Sequence, residues 1–166
     1  MEYTSGNVLA KMLDEQRNLT RFYLGKLKDE DMYREFEVDG YKTNSPYWIL
    51  AHMCWAENSV GLQSLGHSGL DFPWLNDFKI GSAKDSKLTN PPSLDEVLAA
   101  WKQIHAVTIE NLSGLSEAEL DQDNETGIAF GENKSKRFMA MHTIRHEGTH
   151  CGQLSLIAQM YGKKTV

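Results

Sequence analysis

The longest helical pattern in the chain decides its fold: residues 136–161, which read KRFMAMHTIRHEGTHCGQLSLIAQMY. Apolar residues recur along it at helical spacing, and Gly162, a residue type that commonly ends helices, follows directly. At a rise of ~1.5 Å per residue, this helix would be about 40 Å long and would traverse a small domain. A helix of that length needs partners along one whole side.

Two helices that could pack against this long helix are predicted in the first part of the chain. Residues 6–27 have apolar side chains at roughly helical spacing. A second helix begins at Ser45, a favourable N-cap residue that stands before a proline at the first helical position. It should continue to about residue 65 and stop at Gly66.

A third helix that could pack against the long helix begins at Ser93. Glu96 follows Ser93 at the spacing of a capping box. The apolar pattern of this third helix ends near Gly114. No repeat and no change of composition divides the chain. The sequence therefore predicts one all-α domain, residues 1–166, built as a four-helix bundle.

The connection between the second and third helices, residues 67–92, is long for a small domain, and such loops often bind ligands. Its apolar residues should pack back onto the bundle: Phe72, Pro73, Trp74, Leu75 and Phe78. Residues 116–120 predict a short helix. Residues 121–135 are compatible with either a loop or a brief hairpin.

The composition of the chain excludes some classes of function and cellular location. The 166 residues have a net charge of −6, which argues against nucleic-acid binding because that depends on clustered basic residues. The most apolar run, residues 47–56, is far shorter than the ~20 residues of a bilayer span. The N-terminal residues do not resemble a signal peptide, and the two cysteines, Cys54 and Cys151, suggest a reducing compartment. We expect a cytoplasmic protein without nucleic-acid or membrane partners.

Three histidines of the last helix, His142, His146 and His150, recur every four residues. Residues four apart lie on one helical face, so two neighbouring imidazoles of this series can reach one metal ion. The spacing does not decide between the pairs 142/146 and 146/150.

A third imidazole is available from the second predicted helix. His52 lies there on an apolar stripe with Trp48 and Trp55. Imidazoles on the inner faces of two helices are the usual way in which bundles form metal sites. His67 falls in a loop and His105 is isolated on the third helix, so both are expected to be structural or solvated.

Residues 146–150, HEGTH, also match the zinc-protease motif H-E-x-x-H. Such proteases need a third ligand further along the chain, yet no Asp or Glu follows Glu147 and no His follows His150. A protease is therefore only a remote alternative. We expect Glu147 to be a solvent-exposed or interhelix carboxylate.

Two motifs together carry a resemblance to a known family. Residues 44–52, NSPYWILAH, and residues 146–154, HEGTHCGQL, resemble the two histidine motifs of the DinB-like (DinB/YfiT-like) superfamily. The connection that contains Pro73, Trp74 and Phe78 is also similar to one branch of it. The resemblance covers nearly the whole chain.

The resemblance implies a bundle of up-down-down-up order, frequently a homodimer, with one zinc or nickel ion bound by His52, His146 and His150. His142 would then be a neighbour one turn away. Together with Trp48, Trp55 and Gln153, it is expected to line or support the pocket.

Three protein ligands leave coordination positions open, which is typical of catalytic rather than structural zinc sites. The resemblance implies an enzyme that acts on a small molecule with a low-molecular-weight thiol as co-substrate, such as a transferase. A hydrolase is the other expectation, because a metal ion of this kind can lower the pKa of bound water toward ~7. The alternative is a non-catalytic, stress-related protein that binds a metal or a small ligand.

Overall fold

A computed structural model of the chain describes residues 4–82 and 90–165. Within these residues a π-helix, Glu57–Gln63, continues the second helix, and a 3₁₀ helix, Leu75–Phe78, lies in the long connection. The α-helices and strands are α1 (Ser5–Leu27), β1 (Glu37–Val38), β2 (Tyr41–Lys42), α2 (Pro46–Ala56), α3 (Leu94–Gly114), α4 (Glu117–Leu120) and α5 (Lys136–Met160).

The predicted N-caps are confirmed. The Ser45 hydroxyl accepts the N–H of Trp48 at the start of α2. At the start of α3 the Ser93 hydroxyl accepts the N–H of Glu96, and the Glu96 carboxylate accepts the N–H of Ser93. These bonds satisfy N–H groups that have no partner within the helix. The bounds predicted for α1, α3 and α5 are correct to within one residue.

The second helix differs from the prediction of a regular helix to residue 65. Its α-helical part ends at Ala56, and residues 57–63 form the π-helix. Here Gly61 lies against α5: a Cβ at this position would be 3.1 Å from Thr143 Cγ2. We attribute the change of helix type to contacts with other elements, because periodicity and propensity do not encode it. Gly66, with φ +100°, ends the segment as predicted.

Contacts at the helix ends establish the order of the bundle. The Tyr161 hydroxyl, just after α5, donates to the Asp31 carbonyl beyond α1 at 2.7 Å, so α1 and α5 run parallel. The Tyr47 hydroxyl at the start of α2 donates to the Pro92 carbonyl just before α3 at 2.6 Å, so these two helices also run parallel. The start of α1 meets the end of α3. The order is therefore up-down-down-up.

Buried apolar side chains form two clusters at opposite ends of the bundle. The larger includes Tyr23 and Leu27 of α1, and the smaller includes Leu9 of α1. Between the two clusters, α1 buries a charged residue, Arg17, which is 0% exposed. A polar layer thus crosses the middle of the core.

The long connection packs onto the bundle as predicted, with Leu75 and Phe78 in the larger cluster and Phe72 and Trp74 against it. Residues 83–89 of this connection lie outside the described residues. No helix of the part that the structure describes is long and apolar enough to cross a bilayer.

Residues 121–135 form a brief hairpin, the second of the two predicted possibilities. Asp123 pairs with Ser135, and Phe130 pairs with Asn133. The two-residue strands β1 and β2 form another hairpin, which the sequence analysis did not predict.

The close contact between α1 and α3 can be tested at Gly6. A Cβ there would lie 2.6 Å and 2.7 Å from the carbonyl oxygens of Leu112 and Leu115. We expect Gly6→Ala to lower the free energy of unfolding by about 1–3 kcal/mol through overpacking. Gly25→Ala on the same helix meets no atom within 4 Å and should raise it by up to about 1 kcal/mol. Urea denaturation measures both, and equal effects would contradict this packing.

Candidate metal centre

The structure brings together His52 of α2 with His146 and His150 of α5. Their ring centroids are 4.5 Å apart for His146 and His150, 5.2 Å for His52 and His146, and 5.0 Å for His52 and His150. One ligand atom from each residue can be chosen so that all lie within 4.8 Å of one another. His52 and His150 are buried and His146 is partly buried. These three side chains could hold a metal ion.

Hydrogen bonds orient two of the rings. Nδ1–H of His52 donates to the Phe78 carbonyl at 2.7 Å, and Nδ1–H of His150 donates to Oε1 of Gln153 at 2.8 Å. Because both acceptors are oxygens, each neutral ring has its lone pair on Nε2. Nε2 of His150 lies 3.3 Å from Nε2 of His146. The long connection, through Phe78, thus sets the tautomer of a candidate ligand.

The site keeps its imidazoles uncharged. Burial lowers the pKa of His52 and His150. Burial, together with the neighbouring histidines, lowers the pKa of His146 to about 3. All three rings are therefore neutral at physiological pH, the form in which histidine binds metals.

Two tryptophans hold the His52 ring in place. The Trp48 ring stacks on it at 4.8 Å with an angle of 13° between the planes, and the Trp55 ring stacks at 5.6 Å with an angle of 23°. They recur at helical spacing around His52, so the stack follows from the stripe seen in the sequence.

A cavity of about 460 Å³ adjoins two of the three clustered histidines, and His150 is not among its lining residues. His52, His146, Trp55 and His142 contribute to its wall. Gln153, which contacts His150, is not among the lining residues. The cavity size lies in the range of small-molecule sites, about 300–1,000 Å³.

His142 lies beside the three histidines rather than among them. Its ring stacks on Phe130 at a centroid distance of 4.1 Å, and its Nδ1 accepts a hydrogen bond from Arg145 Nη2 at 2.7 Å. A guanidinium can only donate, so neutral His142 has its proton on Nε2. Burial and the Arg145 charge lower its pKa. His142 therefore supplies an N–H donor to the cavity wall.

The other histidines and the cysteines have structural contacts. His67 Nδ1 accepts the N–H of Gly69 at 3.0 Å. His105 is buried among charged groups rather than solvated. Cys54 and Cys151 are free and buried.

On another side of α5, Glu147 belongs to a buried ion cluster with Arg17. Nε and Nη2 of Arg17 donate to the two Glu147 carboxylate oxygens, each at 2.8 Å. Nη2 also donates to Glu57, Nη1 donates to the Trp101 carbonyl at 3.2 Å, and the guanidinium lies 4.0 Å from the centroid of the Trp101 ring. We call this cluster the Arg17 clamp.

His105 extends the clamp toward the surface. Its Nδ1 lies 2.9 Å from Glu57 Oε1, and its Nε2 lies 3.1 Å from Oδ1 of the half-exposed Asp14. Burial opposes ionisation of Glu57, but the Arg17 charge and the hydrogen bond from His105 outweigh it and lower its pKa. The clamp therefore holds an ionised Glu57.

The clamp also explains Glu147 of the HEGTH motif. Glu147 is 3% exposed and both of its oxygens accept from Arg17, so it is an interhelix carboxyl group paired with Arg17. A protease would need this carboxylate as a general base. Its pairing weighs against that remote alternative.

Arg17 and Glu57 were not among the residues predicted from the sequence. Arg17 lies on the buried face of α1 between Leu13 and Thr20, at the spacing of the core positions. A charged residue at such a position was the available signal. Glu57 follows the buried Leu50 and Met53 by seven and four residues, so a comparable signal was available there.

Residues 12–154 match the family model of the DinB superfamily, and this range includes all three clustered histidines. The chain belongs to the DinB superfamily. No curated protein matches it. DinB-like proteins bind divalent metals, and in this member the convergent histidines are the residues that could do so.

The Arg17 clamp of this DinB-superfamily protein can be tested by removing its cation. Arg17→Met leaves Glu57 and Glu147 buried without their partner, so we expect the free energy of unfolding to fall by about 3–5 kcal/mol. Chemical denaturation measures the change.

The matched control is Arg137→Met. Arg137 also pairs with two carboxylates, Glu117 and Asp121, but both are exposed and such pairs contribute little. We expect only a small change. Similar decreases in the free energy of unfolding in the two variants would show that the buried clamp stabilises the fold no more than surface ion pairs do.

Proposed function

We propose that this protein binds one divalent transition metal ion, zinc or nickel, through His52, His146 and His150, and that it is a metal-dependent enzyme for a small-molecule substrate. The convergence of three neutral imidazoles from two helices beside a cavity carries the proposal.

The donor set fits such an ion. Two imidazole nitrogens at ~2.0–2.1 Å from one tetrahedral zinc ion would be roughly 3.3–3.4 Å apart. The Nε2 atoms of His146 and His150 are 3.3 Å apart. His52 and His150 also have Nδ1–H groups bonded to oxygens, the arrangement that commonly orients metal-binding histidines.

The number of ligands favours catalysis over a purely structural role. Among the described residues, the cluster contains three histidines and no cysteine or carboxylate. A divalent ion held in this way supplies a Lewis acid with open coordination positions. His52 and His146 also line the cavity, so a bound small molecule would meet the imidazole cluster directly.

The protein's own residues would position the substrate. Trp48 and Trp55 restrain His52 by stacking, and Gln153 restrains His150. His142 provides an N–H donor one helical turn from His146. The family resemblance suggests transfer to a low-molecular-weight thiol co-substrate as the reaction class. Hydrolysis is the other class that we propose, because a metal ion with open positions would activate water.

A non-catalytic metal-binding role is the second candidate. It is favoured by the burial of His52 and His150, which are 5% and 8% exposed. An ion there would join α2 to α5 and stabilise the fold by binding only the native state.

Metal content tests the ligand assignment. We expect His150→Ala to reduce the bound metal of the purified protein at least tenfold, because two imidazoles chelate poorly. His142→Ala, which removes a histidine from the same helix at the same spacing, should keep a full equivalent. Elemental analysis measures both. Full metal in both variants, or equal loss, would overturn the assignment.

Turnover tests the enzymatic role. The metal-loaded protein is incubated with glutathione, bacillithiol or mycothiol and an epoxide or chlorinated aromatic compound, and separately with neutral esters. We expect product formation that a chelator and His150→Ala both abolish. If the protein contains a full equivalent of metal but shows no metal-dependent turnover, the non-catalytic candidate is favoured instead.

A further inference from the structure

The cavity beside the histidines has an unusual wall for the site of a polar reaction. Among the described residues that line it, in 4–82 and 90–165, there is no lysine, arginine, aspartate or glutamate. Apart from its histidines, the wall consists of aliphatic and aromatic side chains and one threonine. The Thr143 hydroxyl already donates to the Met139 carbonyl at 2.9 Å.

The ionised groups of the core lie elsewhere. Arg17, Glu57 and Glu147 pair with one another in the clamp, and none of them is among the residues that line the cavity. At the described part of the wall, a charged ligand would therefore lose its hydration without gaining an ionic partner, which is strongly unfavourable.

The opening of the cavity is apolar as well. Ile80, from the long connection, and Phe130, from the 121–135 hairpin, are exposed by 78% and 38%. The two residues come from separate loops and both contribute to this one cavity. Exposed apolar residues that adjoin a pocket are typical of a surface that binds an apolar ligand.

We propose that the cavity binds a neutral, mainly apolar small molecule, with an aromatic or branched hydrocarbon group against Trp55, Ile128 and Phe130 and its reactive polar group at His146. This inference rests on the proposed function only in taking the cavity as the substrate site. It assigns the cavity to the apolar substrate and not to the charged parts of a thiol co-substrate.

Recognition of the polar group can come from the few donors in the wall. His142 has its proton on Nε2, because Arg145 occupies Nδ1. Trp55 has an indole N–H. Both donors are neutral, so they can bond an uncharged acceptor such as a carbonyl, ether or epoxide oxygen. They do not supply the countercharge that a buried anion needs to offset its loss of hydration.

Three naphthalene derivatives of similar shape test the proposal: naphthalene-2-methanol, 2-naphthoate and 2-naphthylmethylammonium, which are neutral, anionic and cationic. Calorimetric titration uses chelator-treated wild-type protein, so that no metal attracts the carboxylate. We expect the neutral compound to bind at least tenfold more tightly than either ion. Equal or tighter binding of an ion would overturn the proposal.

Two substitutions at Ile128 locate the binding site. Ile128→Trp fills the cavity and should weaken binding of the neutral compound at least tenfold, whereas Leu156→Trp, on the exposed face of α5, should leave it unchanged. Ile128→Lys should shift the preference toward 2-naphthoate at least tenfold, and Leu156→Lys should not. Unchanged binding in both Ile128 variants would overturn the assignment to this cavity.

The outcome of the naphthalene titrations does not depend on metal binding, so the two proposals can fail separately. Failure of the metal-content test together with selective naphthalene binding would remove the proposed function and leave the cavity assignment intact. A full equivalent of bound metal without preferential binding of the neutral naphthalene would support the metal site and overturn the cavity assignment. Thermal denaturation of each variant establishes that it is folded before titration.

Discussion

The ion cluster around Arg17 is the constraint on which the rest of the structure depends. The guanidinium is removed from water and takes its partners from three other elements: Glu57 of the π-helix, the Trp101 carbonyl of α3 and Glu147 of α5. An unpaired buried charge is far more costly than a lost surface contact. The four segments must therefore keep one relative register, because any sliding or rotation would leave a charge without its partner.

The same relative register of the helices also positions the candidate metal centre, because clamp residues and histidines lie on the same helices. Glu147 lies next to His146 in the chain, and Glu57 follows His52 by five residues. Because Arg17 holds Glu147, it restrains the rotation of α5 about its axis. The direction in which His146 and His150 point from an adjacent side of that helix is then restrained as well. The π-helix does the same for α2. The imidazoles can then meet without a direct contact between Arg17 and any of them.

Charge is thus separated across α5. Glu147 pairs with Arg17, while His52 and His146 line a cavity where the described wall residues include no Lys, Arg, Asp or Glu. Burial keeps these imidazoles neutral, and neutral rings have the lone pairs that a cation needs. A site arranged in this way can combine a strong local field from a bound ion with apolar surroundings for a substrate.

The parts predicted from sequence are those set by local interactions. The caps at Ser45 and Ser93 involve groups within one helical turn, so they were recognisable from a few residues. The placement of His146 and His150 on one face follows from the helical repeat alone. The choice of this pair over His142 and His146 came from the family resemblance, since spacing treats the two pairs alike.

The sequence by itself determined the helices, their ends and the histidine-bearing faces, because backbone geometry and short-range hydrogen bonds act between near neighbours. Tertiary packing alone fixed the change to a π-helix at Glu57, the burial of Arg17, and the cavity that α2, the π-helix, α5 and two loops line together. Each of these depends on groups many residues apart, as Arg17 and Glu147 show, and the free energy of a buried charge is defined only once its partners have been brought to it.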